Sequence, residues 1–304
     1  MKEPIIYVNG QYLPESEAKI SVLDHVVLYG DGAFETAVAR NGQVFKLDAH
    51  LDRLYRSLAA LALSAPHDRD ALHEVVLETV RRNQIEDAYI KILITRGSNG
   101  TPLLDPVDCE PGCVVLVRPY LYMTSGDRVR NGLRLKTVAV RRPPAEVLDP
   151  RIKSLNYLNL VLAKIEARAA AADEALLLDI RGHVCEAPGY NIFAVREHQL
   201  RTPWEDILQG ITRETVIELA DEMGLAAEET TLELYDLYVA DEVFLCSTAG
   251  GILPVREIDG RPVGNGQPGP VFERIRDRYE ELLAAGTAST PVGGVPTAGD
   301  ALVC

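Results

Sequence analysis

Short apolar runs broken by Asn-Gly turns open the chain and give way to a period near 3.6 around residue 50. Ile5-Ile6-Tyr7-Val8 and Gln11-Tyr12-Leu13 flank Asn9-Gly10, a dipeptide that supplies the positive φ of a tight turn, so the spacing predicts a hairpin. Tyr29-Gly30-Asp31-Gly32-Ala33-Phe34-Glu35-Thr36-Ala37-Val38-Ala39 runs from a glycine-containing turn into a strand that ends at Asn41-Gly42. Two such turns so early imply an antiparallel sheet. His50, Leu51, Leu54, Leu58 and Leu61 then mark one helix, and Leu72, Val75, Val76, Thr79 and Val80 another. Residues 88–95 and 114–117 are apolar strand candidates, separated by a Gly/Pro/Asp loop over 97–112.

The pattern weakens over 119–133 and resumes in a strand at 133–140, followed by the stiff segment Arg141-Arg142-Pro143-Pro144. Apolar residues at Leu155, Leu158, Leu162 and Ile165 then set a helical period that starts just after Lys153. Short strands over 174–180, 191–195 and 242–246 surround a helix over 212–223 that Gly224 ends, and the last helix covers 271–285. The predicted organisation is an α+β domain over 1–119, an interdomain segment over 120–135, a second domain over 136–285 and a disordered tail over 286–304, rich in Gly, Ala, Pro and Thr.

Composition narrows the function classes. The 304 residues are 47% hydrophobic and 25% charged, as in an ordinary soluble protein, and allow one large or two medium cores. A net charge of −14 argues against nucleic acid or an anionic membrane as a general partner, while leaving room for a local anion site. The five cysteines, Cys109, Cys113, Cys185, Cys246 and Cys304, are odd in number and scattered, with no CxxC, which predicts a reduced cytoplasm and no structural metal. No stretch reaches the roughly 18 apolar residues of a membrane span, and the N-terminus lacks a signal-peptide apolar core.

Several positions could carry chemistry. Lys153 falls at a predicted loop-to-helix junction, where the positive end of the helix dipole would favour a neutral, nucleophilic amine. Tyr157, four residues on, would share its helical face. A solvated lysine and a core tyrosine fit the same residues. Leu208-Gln209-Gly210-Ile211-Thr212-Arg213 places backbone N–H groups and a hydroxyl at a helix start, either an anion site or a simple cap. Ser247-Thr248-Ala249-Gly250-Gly251 follows a strand with small residues, either a ligand approach or a tight turn. Arg53, taken alone, reads as a solvated helix residue. Glu186, beside Pro188-Gly189, could hold a protonated ring nitrogen or face water.

In this order the segments resemble the class IV aminotransferases, the fold-type IV pyridoxal-phosphate enzymes that include branched-chain and D-amino-acid transaminases. The resemblance rests on Tyr29-Gly30-Asp31-Gly32-Ala33-Phe34-Glu35, His50-Leu51-Asp52-Arg53-Leu54, Arg151-Ile152-Lys153-Ser154-Leu155-Asn156-Tyr157-Leu158-Asn159, Leu208 to Arg213, and Ala240-Asp241-Glu242-Val243-Phe244. It implies a smaller N-terminal α/β sandwich-like domain, and a larger C-terminal cofactor-binding domain with a β-barrel-like core. It also implies a homodimer or higher oligomer whose active sites lie between the domains and borrow loops from the neighbour. By this resemblance Lys153 bonds the aldehyde of pyridoxal 5′-phosphate and later shuttles a proton. Tyr157 meets the phenolic oxygen, Glu186 the ring nitrogen, and Arg53, Ile211, Thr212 and Thr248 the phosphate.

The substrate side departs from the branched-chain pattern. An arginine of that pattern is Val38 here, and another is Lys91, which cannot grip a carboxylate bidentately. Thr248-Ala249-Gly250-Gly251, and an aromatic, Tyr190, before Asn191, are similar to the (R)-selective amine transaminases. Tyr29, Phe34, Thr36, Val38, Lys91, Arg96, Ala249 and Gly250 form the expected substrate pocket, with Arg96 a candidate carboxylate ligand. Three functions stay open. Transamination between an amino acid or primary amine and a 2-keto acid requires an amino acceptor. An aminodeoxychorismate-type lyase, which Lys91 and Thr36 resemble, would release pyruvate without one. A non-catalytic relative would bind no cofactor.

Overall fold

The computed structural model describes residues 3–120 and 130–293. The chain divides into two compact units, Met1–Leu121 with Ile152–Tyr157 and Leu282–Cys304 in the first, and Tyr122–Arg151 with Leu158–Glu281 in the second. Each is built on one sheet, giving the α+β class.

In the first unit, β1 (Ile5–Val8) and β2 (Gln11–Pro14) form the expected hairpin, with Asn9 at φ 45° and Gly10 at φ 92°. A short α1 (His25–Tyr29), capped by the Asp24 carboxylate, leads into β3 (Gly32–Arg40) and β4 (Gln43–Phe45). The helices α2 (Leu47–Ala60) and α3 (Arg69–Asn83) follow, then β5 (Ala88–Ser98) and β6 (Glu110–Pro119). The sheet order is a C-terminal strand (Ser289–Pro291), then β4-β3-β5-β6-β1-β2. Side chains alternate across it. Ala33, Ala37 and Ala39 of β3 and Ile90, Ile92 and Ile94 of β5 enter a core with Leu47, Leu51, Leu54 and Leu58 of α2 and Leu72, Val76 and Val80 of α3. Full burial of each such leucine or isoleucine stabilises by about 2 kcal/mol. The alternate residues Phe34, Thr36 and Val38, paired with Leu93, Lys91 and Tyr89, therefore occupy the other face.

In the second unit β7 (Leu133–Arg141) is followed by α4 (Ala145–Leu148), α5 (Leu158–Ala169) and β8 (Glu174–Leu178), then β9 (Glu186–Ala187), β10 (Tyr190–Arg196) and β11 (Gln199–Thr202). Next come α6 (Ile211–Glu222), β12 (Ala227–Glu229), α7 (Leu234–Tyr238), β13 (Glu242–Ser247), β14 (Gly251–Ile258), β15 (Arg261–Pro262) and α8 (Pro270–Ala285). The sheet runs β12-β11-β10-β13-β14-β7-β8, with β9 on β10 and β15 on β14. It is mixed, with β7 parallel to both β14 and β8. Its core includes Leu135, Leu176, Ile192, Leu245 and Val255.

The structure corrects three expectations. The helix predicted from Leu155 begins at Leu158. Residues 153–155 instead lie along the edge of β3, where the Phe34 N–H donates to the Lys153 carbonyl and the Leu155 N–H to the Gly32 carbonyl, each at 2.9 Å. Gly32 permits this approach, since a Cβ there would meet the Ile94 carbonyl oxygen at 2.6 Å and Leu155 Cδ1 at 2.9 Å. Secondly, the apolar stripe that announced α5 faces outward: Leu158, Leu162 and Ile165 are exposed, and Leu160, Ala163 and Ala167 are the buried residues. Thirdly, the segment after 285, expected to be unstructured, contributes Ser289–Pro291 as a strand on β4, and Val292 enters the first core. The open edge of β4 supplies the backbone partners that composition could not foretell. Of the expected tail, 294–304 lies outside the described residues, as does 121–129 of the expected interdomain segment.

Candidate functional site

Phe34 is the hub of the candidate residues in the first unit. The Nζ of Lys153 lies 4.4 Å from its ring centroid and the Nζ of Lys91 4.6 Å. The Tyr157 ring meets it edge-on at 5.1 Å and 69°. Lys153 and Tyr157 are thus brought together by a shared aromatic neighbour, because neither belongs to a helix and the expected four-residue spacing on one face does not apply. The backbone holds the lysine: its carbonyl is bound by Phe34, its N–H donates to Ser57 Oγ at 3.2 Å, and the residue is only 9% exposed. Lys91 is placed by register, opposite Thr36 on β5. Burial, then the charge of Lys153, push the Lys91 ammonium below its ordinary pKa.

Arg53, which reads as solvated in isolation, is buried and clamped. Its Nε donates to Glu35 Oε1 at 2.7 Å and its Nη2 to Glu35 Oε2 at 2.9 Å, a bidentate pair inside the fold. His50, one turn earlier on α2, places Nδ1 2.8 Å from the same Oε2. Burial alone would raise the Glu35 carboxyl, but the Arg53 charge and the His50 and Arg53 hydrogen bonds outweigh it and hold it well below the usual carboxylate range. Burial also depresses the His50 imidazole, against the pull of Glu35. With Glu35 ionised, His50 Nδ1–H is the donor, and its buried Nε2 has no hydrogen-bond partner. His50, Arg53 and Ser57 form a buried polar stripe beside the leucine stripe of α2.

The other expected pocket residues separate. Phe34 and Val38 are buried and Thr36 half-buried on the Lys91 face of β3. Tyr29 ends α1, where its hydroxyl donates to the Pro102 carbonyl at 2.7 Å and its ring stands edge-on to His25. Arg96 is engaged within the first unit. Its Nε and Nη2 bind Asp31 at 2.9 and 3.2 Å, and its Nη1 and Nη2 bind the Ala62 and Leu61 carbonyls at 2.8 and 2.9 Å. Every nitrogen of that guanidinium has an acceptor, and Nη1 and Nη2 bind the carbonyls that follow α2.

In the second unit Ile211 and Thr212 open α6, whose Gly210 cap provides no side-chain hydrogen bond, so first-turn N–H groups lack intrahelical acceptors. Thr212 Oγ1 lies 3.4 Å from Thr248 Oγ1, which joins the helix start to the turn between β13 and β14. Two hydroxyls and a positive helix end make a cup suited to a phosphate. Glu186 and Asn191 face each other across the β9–β10 hairpin. The Leu208 N–H donates to Glu186 Oε2 at 3.1 Å, Asn191 Nδ2 to the same oxygen at 3.4 Å and to the Leu208 carbonyl at 2.8 Å. Arg142 Nε lies 2.7 Å from Glu186 Oε1, a charge contact that lacks hydrogen-bond geometry. This buried carboxylate is therefore oriented by a cation, an amide and a peptide N–H, and sits within one loop of the phosphate-suited cup. Ala249 is buried and Gly250 half-buried in the turn after Thr248.

Glu35, His50, Ser57 and Arg142 escape sequence reasoning. The signal for His50 and Ser57 is their three- and four-residue spacing with Arg53, and for Arg142 a charged residue before a rigid Pro-Pro; Glu35, 18 residues from Arg53, has no such local signal. A separate cavity of about 510 Å³ in this unit, lined by Arg151, Arg181 and Trp204 among others, contains none of the expected site residues.

Residues 32–258 match the family model described as amino-transferase class IV. A Methanocaldococcus jannaschii protein provisionally named a branched-chain-amino-acid aminotransferase is 46% identical over 280 residues, 91% of this chain and 96% of that one. The Pseudomonas aeruginosa branched-chain-amino-acid aminotransferase is 32% identical, covering 94% of this chain and 95% of its own length. The crystal structure of the T.th. branched-chain amino acid aminotransferase with pyridoxamine 5′-phosphate superposes with a TM-score of 0.92 at 36% identity, over 96% of this chain and 100% of that one. The chain belongs to the class IV aminotransferases.

Proposed function

We propose that this aminotransferase uses pyridoxal 5′-phosphate to move an amino group between an amino acid or primary amine and a 2-keto acid, in two half-reactions. The observation that carries the reading is Lys153, a buried lysine fixed by its own backbone against Phe34 and Ser57. The bound cofactor supplies an aldehyde to carry the amino group and a ring to take up the electron pair of the substrate's C–H bond. The Nζ of Lys153 engages that aldehyde and later moves the proton. Glu186 meets the ring nitrogen, and Arg142, 2.7 Å from its Oε1, orients it. Tyr157 donates to the phenolic oxygen. Ile211, Thr212 and Thr248 serve the phosphate, and Arg53 matches a phosphate position of the family.

For the donor, the names of the relatives support branched-chain amino acids, and the buried apolar Phe34 and Val38 support an apolar side chain. Tyr190 and Gly250 support the alternative of a D-amino acid or (R)-amine. We also propose a homodimer, supported by the exposed apolar stripe of α5, and a cytoplasmic location, supported by the free thiols of Cys109, Cys113, Cys185 and Cys246. Among the described residues no helix is long and apolar enough to cross a membrane.

The test is the half-reaction. A good donor bleaches the yellow cofactor-loaded enzyme and a 2-keto acid restores the colour, while K153A neither colours nor turns over. Comparing L-branched-chain amino acids, D-amino acids and (R)-amines ranks the donors. If none bleaches the band, transamination is wrong, and pyruvate released without an acceptor would establish elimination.

A further inference from the structure

Asn191 stands where three parts of the second unit meet. Its backbone is pinned on both sides, since on β10 it pairs with Glu186 of β9 and with Cys246 of β13, two residues before Thr248. Its side chain is buried and reaches the connector that leads into α6. There one –NH2 group faces two oxygens, the Leu208 carbonyl at 2.8 Å and Glu186 Oε2 at 3.4 Å. Both are acceptors, which fixes the end of the amide that carries the nitrogen. The other end, Oδ1, lies over Gly210, where a Cβ would be 2.1 Å from it. Residue 210 is therefore glycine for the sake of Asn191 and not of its own backbone, whose φ of −75° any residue adopts. The connector itself is short. Leu208 donates its N–H to Glu186 Oε2 at 3.1 Å and offers its carbonyl to Asn191, and two residues later Gly210 caps the helix that opens with Ile211 and Thr212. One amide thus touches the carboxylate assigned to the ring nitrogen and holds the peptide that runs into the phosphate-suited cup.

We infer that Asn191 is a positioning residue for the cofactor: it sets the start of α6 at a fixed distance from Glu186, so that the phosphate and the ring nitrogen are recognised together. This role rests on those proposed for Glu186, Thr212 and Thr248. Only an amide meets the requirement at this position. Aspartate has the same shape but would turn a negative oxygen toward the Leu208 carbonyl and toward Glu186, and alanine would deprive both of this donor.

Pyridoxal 5′-phosphate and pyridoxal share the aldehyde and the ring nitrogen and differ in the phosphate, so the ratio of their dissociation constants on the full chain reads the cup. N191A and N191D are each expected to lower the preference for the phosphorylated form about tenfold. G210A should reproduce that loss by pushing the amide aside, and N191A/G210A should be no worse than either single variant. A residue that only supported the fold would lower the unfolding temperature and leave the ratio unchanged. A wild-type ratio in N191A and N191D, or additive losses in the double variant, overturns the proposal. A wild type that does not prefer the phosphorylated form refutes the cup assignment instead. Amide hydrogen exchange over residues 208–213 of the cofactor-free chain then still decides the role of Asn191: exchange about tenfold faster in N191A and N191D supports a connector held by this amide, and wild-type rates in both overturn it.

Discussion

Tyr190 and Gly250 occupy one volume: a Cβ on residue 250 would lie 2.3 Å from Cε1 and 2.8 Å from the hydroxyl of Tyr190. Two departures from the branched-chain pattern, distant in sequence, are therefore a single packing decision. The tyrosine ring takes the space that a side chain at 250 would need. G250A is expected to destabilise the protein by about 1–3 kcal/mol through overpacking. Y190L should relieve that strain, so that Y190L/G250A is less destabilised than the sum of the single variants. Thermal unfolding of all four proteins checks this, and simple additivity would mean the two positions are independent.

Breaking the Glu35–Arg53 pair leaves a buried guanidinium without its counter-charge. E35Q is expected to cost roughly 3–5 kcal/mol at neutral pH and to weaken cofactor retention. The sign of the pH effect follows from the carboxyl being held below its unfolded value of about 4.3. Its contribution is complete above that value and fades as pH falls toward the lower folded one, because the unfolded chain takes up the proton first. Urea midpoints measured from about pH 6 to pH 3 should fall more steeply for wild type than for E35Q. Parallel curves would show that Glu35 is not ionised in the folded protein.

The outward face of α5 carries Leu158, Val161 and Ile165 at 65%, 51% and 60% exposure. A second copy covering this stripe would remove apolar surface from water on both sides. V161E and I165E are expected to shift a dimer to monomer in sedimentation velocity while leaving the far-ultraviolet circular dichroism unchanged. A wild-type monomer at micromolar concentration, or a dimer indifferent to both substitutions, would place the contact elsewhere or remove it.

Much of the local structure is legible because it depends on neighbours in sequence. The Asn9-Gly10 hairpin, the leucine stripe of α2 and the Gly224 stop after α6 are all decided within a few residues. The residue identities of the candidate site are legible only through resemblance, since Arg53 and Glu186 each have an ordinary solvated reading. What stays hidden is pairing at long range. Nothing near Lys153 announces that its segment spends its hydrogen bonds on β3, so the helical period runs three residues too far. Arg96 reads as available because its acceptors, the Asp31 carboxylate and the carbonyls of Leu61 and Ala62, lie in other parts of the chain. The stripe on α5 has helical spacing whichever side it faces, and periodicity alone does not say toward what.

The strand Ser289–Pro291 on β4 has a consequence for synthesis. Strands β1 to β6 of the first unit are translated before the second unit, yet the sheet gains an edge from residues 289–291, and its core gains Val292, only after the second unit has been translated. In between, Gln43, Val44 and Phe45 present an unpaired edge, a template for pairing with another nascent chain. Arg81 Nε, which binds the Val292 carbonyl at 2.8 Å, also waits for that last segment. The protein's exposure to misassembly is thus set by the time between translating β4 and translating its partner, and slowing elongation over the second unit would lengthen it.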